Sequence, residues 1–103
     1  MSGKRRSTRT IKRLEITFSA RGITYKGITS NLSREGIFIR TVKGLPPGIT
    51  IDVNLYLPSG ETLKLQAVVK RTIKTPFQSI KNGMGIEIIN PPQKYLEYVD
   101  SLQ

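Results

Sequence analysis

The sequence predicts an all-β domain: a six-stranded antiparallel β-barrel with a flexible basic N-terminal arm and a short C-terminal helix. Two observations predict it. Apolar and polar residues alternate in six short segments separated by turn residues, and a helical apolar spacing stands at the C-terminal end. Closure into a barrel is favoured because it removes the exposed edges of so small a sheet. At 103 residues the chain is expected to form one domain, residues 14–103, preceded by an arm at residues 1–13.

The first two strands are predicted as a hairpin. Residues 14–18 alternate apolar and polar side chains, and a turn follows at residues 20–22. The alternation resumes at Ile23 and continues to about Gly27. Ile28 and Thr29 then indicate an irregularity or a change of face before Asn31, where the pattern breaks into a polar turn.

The next three strands have clearer limits. Residues 36–41 are β-branched and aromatic enough for a third strand, and the glycine- and proline-rich residues 43–48 must form a loop. Residues 51–57 and residues 62–69 alternate strictly on either side of a turn at residues 58–60. They are predicted to form the second hairpin as strands four and five.

A loop at residues 75–82 precedes a sixth strand at residues 85–89. The glycines on either side of Met84 indicate a close approach of backbone at that point. Beyond the strand, Asn90 is expected to cap a helix over about residues 91–102, with Pro91 in its first turn. Its apolar stripe would consist of Tyr95, Val99 and Leu102, which seal the barrel.

Composition excludes much chemistry. With no cysteine and no histidine there are no disulfides, no thiolate or imidazole metal ligands and no imidazole base. The seven acidic residues are scattered without paired-carboxylate or metal-ligand spacing. We therefore expect neither an enzyme nor a metal or cofactor. No apolar run is long enough to span a membrane, and no signal peptide is evident, so a cytoplasmic protein is expected.

Positive charge is abundant and concentrated at one end. Lys and Arg total 17 against 7 acidic residues, a formal charge of +10, which favours phosphates, nucleic acid or lipid headgroups as partners. Six cations fall in the first 13 residues: Lys4, Arg5, Arg6, Arg9, Lys12 and Arg13. A basic terminus can also be a solubilising arm, so a second signal is needed to assign it a function.

That signal lies between strands two and three. Asn31, Ser33 and Gly36 combine an amide, a hydroxyl and a site free of a side chain, all of which can contact a nucleotide, although any β-turn uses the same residue types. In the arm, Arg5 and Arg9, or Arg9 and Arg13, stand four positions apart. A guanidinium fork matches phosphate oxygens and the O6/N7 edge of guanine, and its face can stack on a base.

Together, Arg5 to Arg9 and Asn31 to Gly36 resemble the R-x-x-x-R and [DN]-x-S-x-x-G motifs of the PilZ family, and residues 83–88 are similar to the family's glycine-containing last strand. The resemblance covers nearly the whole chain. It implies a split-barrel fold and binding of the bacterial second messenger cyclic di-GMP. The implied ligand contacts are Arg5, Arg6, Arg9, Asn31, Ser33 and Gly36, with secondary contacts from Arg13, Arg34, Lys70, Arg71 and Gly85.

Two departures from the family pattern stand out. Asn31 occupies a position where many members have Asp, and strand five continues into Lys70 and Arg71 where some have an aromatic residue. A carboxamide lacks the negative charge that strengthens a contact to guanine N–H groups, so weaker affinity is expected than in members with Asp.

The function expected from the resemblance is that of a sensor or adaptor. The arm would fold over cyclic di-GMP, one molecule or a stacked pair, and the newly ordered surface would regulate a partner protein in motility, surface attachment or exopolysaccharide output. One alternative is a nucleic-acid-binding barrel, which charge and topology allow, but aromatic residues for base stacking are scarce. The other is a PilZ-like adaptor that does not bind the nucleotide.

Overall fold

The structure, a computed structural model, describes residues 10–74 and 82–102. These residues form seven strands and one helix. The strands are β1 (Thr10–Ile11), β2 (Glu15–Ala20), β3 (Ile23–Leu32), β4 (Gly36–Arg40), β5 (Thr50–Tyr56), β6 (Thr62–Ile73) and β7 (Gly83–Ile89), and the helix is α1 (Gln93–Ser101).

Six of the strands close into a barrel. The antiparallel order β3-β2-β5-β6-β7-β4 returns to its start because β4 also pairs with β3. The predicted six-stranded barrel with a C-terminal helix is therefore confirmed. The short strand β1 lies outside the barrel and extends the edge of β3 beyond β2, with Thr10 opposite Leu32. This strand falls within the segment for which the sequence indicated only a basic arm.

The core fills the inside of the barrel, as the period-two alternation requires. Along β5, for example, Ile51, Val53 and Leu55 are each at most 1% exposed, while Asp52 between them is exposed. The remaining fully buried large side chains come from the other five barrel strands and from α1: Ile16, Phe18, Leu32, Ile37, Ile39, Val69, Met84, Tyr95 and Val99.

Two β-bulges shift the strand limits from those predicted. The register of β3 against β4 slips between Thr29 and Asn31, and that of β6 against β7 slips between Val69 and Arg71. Because a bulge absorbs an extra residue and lets pairing resume, β3 continues to Leu32 and β6 to Ile73. The predicted polar turn at Asn31 is wrong in position, since Asn31 lies within the strand. The predicted irregularity near Thr29 is confirmed.

The start of α1 also differs from the prediction. Pro92 is the N-cap and makes no side-chain capping bond, whereas Asn90 has a left-handed φ of 47° and lies outside the helix. A residue that precedes proline is held out of helical backbone geometry. Asn90 and Pro91 both precede a proline, so the helix cannot begin before Pro92. Tyr95 and Val99 are buried as predicted, while Leu102 follows the last helical residue.

Candidate functional site

The turn that joins β3 to β4, residues 33–36, is held by its own hydrogen bonds. The Ser33 amide donates to the Gly36 carbonyl at 2.9 Å, and the Gly36 amide donates to Ser33 Oγ at 3.2 Å. The hydroxyl in turn lies 3.4 Å from the Gly36 carbonyl oxygen, and Ser33 is only 4% exposed. In this structure the hydroxyl shapes the turn, and its contact with a nucleotide stays a prediction.

Gly36 is a site free of a side chain, and the use of that space by a nucleotide stays a prediction. It is absent from the residues with a positive φ, so no left-handed conformation requires glycine here. A Cβ on Gly36 would clash with the backbone carbonyl oxygen of Ile86, in the neighbouring strand β7. Gly36 therefore allows β4 and β7 to approach each other directly behind the turn.

Asn31 lies at one end of a row of residues that crosses four strands. It is opposite Phe38 in β4, Phe38 is opposite Gly85 in β7, and Gly85 is opposite Arg71 in β6. Directly opposed residues in antiparallel strands point to the same face. The residues before and after Phe38 are buried in the core, so the row faces outward. We call Asn31, Phe38, Gly85 and Arg71 the outer row.

Both bulges contribute to the outer row. The extra residues are Ser30 and Lys70, and each shift moves the following residue, Asn31 or Arg71, into register with the row. Bulges commonly redirect a side chain beside a functional site. Lys70 lies 3.4 Å from a Glu87 carboxylate oxygen, but with both side chains more than half exposed the ion pair contributes little to stability.

Gly85 leaves a shallow depression in the outer row. A Cβ placed there would lie 3.6 Å from Cγ and Nε of Arg71 and 3.8 Å from Cδ1 of Phe38, ordinary contact distances. Arg71 thus extends along one side of Gly85 and Phe38 along the other. Arg71 is exposed and forms no ion pair with a carboxylate in the described ranges. Its guanidinium can stack on a planar ligand or donate to an anion.

The basic N-terminal segment joins the barrel beside this row. Ile11 of β1 lies opposite Asn31, and the Thr29 hydroxyl fastens the connection after β1. That hydroxyl accepts from the Leu14 amide at 2.8 Å and donates to the Lys12 carbonyl at 2.6 Å. Thr29 is fully buried and was not predicted as a site residue. The only signal in the sequence was a threonine where the strand alternation breaks.

Only one of the four arginines predicted in the N-terminal segment lies within the described residues. Arg13 is exposed in the connection between β1 and β2, while Arg5, Arg6 and Arg9 lie outside the described residues. The structure therefore brings together Asn31, Arg71, Gly85 and the turn, and it does not describe the predicted R-x-x-x-R motif.

Two side chains of helix α1 contact the turn. The Tyr95 hydroxyl donates to the Ser33 carbonyl at 2.7 Å, and Arg34 forms a 2.6 Å ion pair with Asp100. Burial, and secondarily the charge of Glu35, raises the pKa of Tyr95 well above its usual value. From the sequence, Tyr95 is predicted only as part of the apolar stripe of the helix. A tyrosine at a buried position, where a polar tip needs a partner, was the signal that could have identified this contact.

Within the described ranges, no group of three or more acidic, His or Cys side chains is placed to hold a metal ion. No helix found there has the length and apolar character needed to cross a membrane.

Comparison with known proteins gives a family and a fold. The model of the PilZ domain matches residues 3–102. Three solved structures are similar: the Bacillus subtilis inhibitor of motility MotI/DgrA (TM-score 0.77, 23% identity), the PilZ domain of CeSA from a cellulose-synthesizing bacterium (0.66, 19%), and the PilZ domain of Escherichia coli YcgR with c-di-GMP (0.70, 13%). No curated protein matches significantly.

The aligned lengths differ among these structures. The alignments cover 97%, 92% and 97% of this chain, in the same order. They cover 94% of the CeSA domain and 92% of the YcgR domain. By contrast, the chain spans about half (51%) of the Bacillus protein.

Proposed function

Because this chain belongs to the PilZ domain family, we propose that it binds cyclic di-GMP on the outer row and acts as a non-enzymatic adaptor. The observation that carries the proposal is the position of the outer row. It places Asn31 on one face of the barrel with Arg71, which forms no ion pair within the described residues, beside the strand through which the basic N-terminal segment joins the barrel. One anionic, base-containing ligand can contact both the arginines and the amide.

We assign the roles by side-chain chemistry and exposure. Asn31 accepts from the N–H groups of a guanine edge, and Arg71 stacks on a base or donates to a phosphate across Gly85. Arg5, Arg6 and Arg9 clamp the phosphates from the N-terminal segment. Arg13, Arg34 and Lys70 add positive charge around the site. Ser33 and Gly36 act mainly by shaping the turn, since both are buried.

The proposed output is an interaction rather than a reaction. Binding would place the basic segment against the barrel and so alter the surface that a partner protein meets. The PilZ domain of YcgR has been solved with c-di-GMP, and MotI/DgrA is described as an inhibitor of motility. YcgR supports a ligand of this class, and MotI/DgrA supports an output in motility. We propose control of a partner in motility, attachment or exopolysaccharide output.

The test is isothermal titration of cyclic di-GMP into the wild type and into Asn31→Ala, Arg71→Ala and Arg9→Ala. We expect micromolar or tighter binding by the wild type, which corresponds to about 8 kcal/mol or more. Arg71→Ala and Arg9→Ala should each weaken it by about tenfold or more, since a hydrogen bond to a charged group contributes roughly 1.5–3 kcal/mol. Asn31→Ala should weaken it by about two- to tenfold, since a neutral hydrogen bond contributes roughly 0.5–1.5 kcal/mol.

Lys64→Ala is the matched control for Arg71→Ala. Both residues are exposed cations on β6, separated by about 20 Å of strand, so this variant should bind like the wild type. GMP and a short single-stranded oligonucleotide are the ligand controls. Salt-sensitive binding of the oligonucleotide alone would instead indicate a nucleic-acid-binding barrel. Binding of none of the three would indicate an adaptor that does not use the nucleotide.

A further inference from the structure

Helix α1 holds the turn at residues 33–36 by two independent contacts. From the buried side, the Tyr95 hydroxyl lies 2.7 Å from the Ser33 carbonyl oxygen and 3.4 Å from that of Gly36. From the exposed side, Asp100 holds the Arg34 guanidinium at 2.6 Å. Tyr95 and Asp100 are five positions apart on one short helix, so both contacts depend on α1 being docked.

We propose that Tyr95 and Asp100 are positioning residues for ligand binding: α1 holds the turn in the form that places Asn31 and Arg34 for the ligand. The inference rests on the proposed function and deepens it, since neither residue lies on the outer row. Asn31 is two residues before the turn, and Arg34 lies inside it. Displacement of the turn would therefore displace both.

The two contacts act in different ways. Ser33 and Tyr95 are at most 4% exposed, so without the Tyr95 hydroxyl the Ser33 carbonyl would lose a partner in a buried place. An unsatisfied buried acceptor is costly, and the turn would shift to relieve it. The pair between Arg34 and Asp100 is about half exposed and adds little to overall stability. Its effect is to limit where the Arg34 side chain can point.

The same helix offers a matched control. Tyr98 is three residues from Tyr95, and its hydroxyl is buried and has no hydrogen-bond partner among the described residues. Removal of that hydroxyl breaks no bond to the turn. Glu97 is an exposed acid on the same helix that does not contact the turn, and it serves as the control for Asp100.

The arrangement has a reciprocal consequence. If docking of α1 favours the binding form of the turn, then ligand binding must favour docking of α1 by the same factor. Neither Tyr95 nor Asp100 belongs to the outer row, so α1 would report occupancy of the site through residues outside it.

The experiment combines titration of cyclic di-GMP with amide hydrogen exchange, on Tyr95→Phe and Asp100→Ala with Tyr98→Phe and Glu97→Ala as controls. We expect Tyr95→Phe to weaken binding about tenfold and Asp100→Ala about threefold, with both controls within twofold of wild type. In the wild type, ligand should slow exchange of the α1 amides. In Tyr95→Phe, exchange at Gly36 should be faster in the free protein, and ligand should no longer protect α1.

Two results would overturn the inference while leaving the proposed function intact. One is wild-type affinity for cyclic di-GMP in Tyr95→Phe. The other is an equal loss of affinity in Tyr95→Phe and Tyr98→Phe, which would mean only that the helix is generally weakened. A wild type that does not bind cyclic di-GMP would refute the proposed function, and with it any positioning role for that ligand. In that case the exchange rate at Gly36 alone would still show whether Tyr95 holds the turn.

Discussion

At the scale of single residues, buried polar groups decide the shape of the candidate site. Thr29, Ser33 and Tyr95 are each at most 4% exposed, and each uses its hydroxyl to hold backbone close to the outer row. Buried hydroxyls are costly unless they are bonded. Their partners therefore restrict the backbone, and this backbone sets the positions of the half-buried Asn31 and the exposed Arg71.

The first residue-scale prediction concerns Tyr95 and pH. Its folded-state pKa is raised, so above about pH 10 the unfolded chain releases this proton while the folded protein retains it. The stability that the neutral phenol contributes is complete below that pH and is lost as pH rises, by about 1.4 kcal/mol per pH unit for one proton. The free energy of unfolding, measured with urea between pH 7 and 11, should therefore fall more steeply with pH for the wild type than for Tyr95→Phe. An equal fall in the two proteins would contradict this prediction.

A second prediction separates two glycines of β7. A Cβ on Gly83 would overlap the Ile39 carbonyl oxygen and lie 2.8 Å from the Phe38 ring, whereas a Cβ on Gly85 meets only ordinary contacts. Gly83→Ala should therefore lower the free energy of unfolding by about 1–3 kcal/mol, and Gly85→Ala should change it by less than about 0.5 kcal/mol. Gly85→Ala should nevertheless weaken cyclic di-GMP binding, because its methyl group fills the depression in the outer row. Urea unfolding and titration of both variants check this.

At the scale of elements, short irregular features place the site on a regular barrel. The bulges in β3 and β6 bring Asn31 and Arg71 into one row, and β1 brings the N-terminal segment to that row. Two paired residues provide little stability by themselves. We infer that β1 keeps its position because Thr29 holds the connection that follows it.

Thr29→Val tests that dependence. Valine keeps the shape but leaves the Leu14 amide and the Lys12 carbonyl without their bonds to the hydroxyl. We expect a loss of about 1–3 kcal/mol in unfolding free energy, with faster amide exchange at Lys12, whose amide bonds the Ser30 carbonyl. Thr24→Val, at an exposed position of the same strand, is the control and should be neutral or slightly stabilising. Equal effects of the two substitutions would show that the hydroxyl is unimportant.

At the scale of the whole molecule, excess positive charge surrounds a closed apolar barrel. The formal charge of +10 has no role in the core, since none of the buried residues in the described ranges carries a charge. Its consequence is electrostatic attraction of anions, which salt screens over about 10 Å at 0.1 M.

We therefore expect cyclic di-GMP affinity to fall several-fold between 50 mM and 300 mM salt, as measured by titration at both concentrations. Arg71→Ala should show a smaller dependence, because one of the cations nearest the ligand is gone, while Lys64→Ala should match the wild type. Affinity that is independent of salt would mean that the basic residues do not contact the phosphates.

Much of the barrel followed from local pattern. The alternation in residues 51–57 and 62–69 predicts β5 and most of β6 because the inward and outward faces of a strand have opposite polarity. The predicted limits at Asn31, Val69 and Asn90 were wrong where a register shift or a second proline intervened. A bulge depends on the neighbouring strand, so the sequence of one strand does not reveal where pairing resumes.

Part of the candidate site was likewise predictable from the sequence, and part was not. The sequence by itself determined the residue types, namely the arginines, Asn31 and the small residues of the turn, because these follow from side-chain chemistry alone. Only the tertiary structure decided that Asn31 and Arg71, 40 positions apart, share a row, and that the Ser33 hydroxyl and Gly36 serve the turn. The physical reason is that register across strands and bonds to buried carbonyls are set by long-range contacts, which no local pattern encodes.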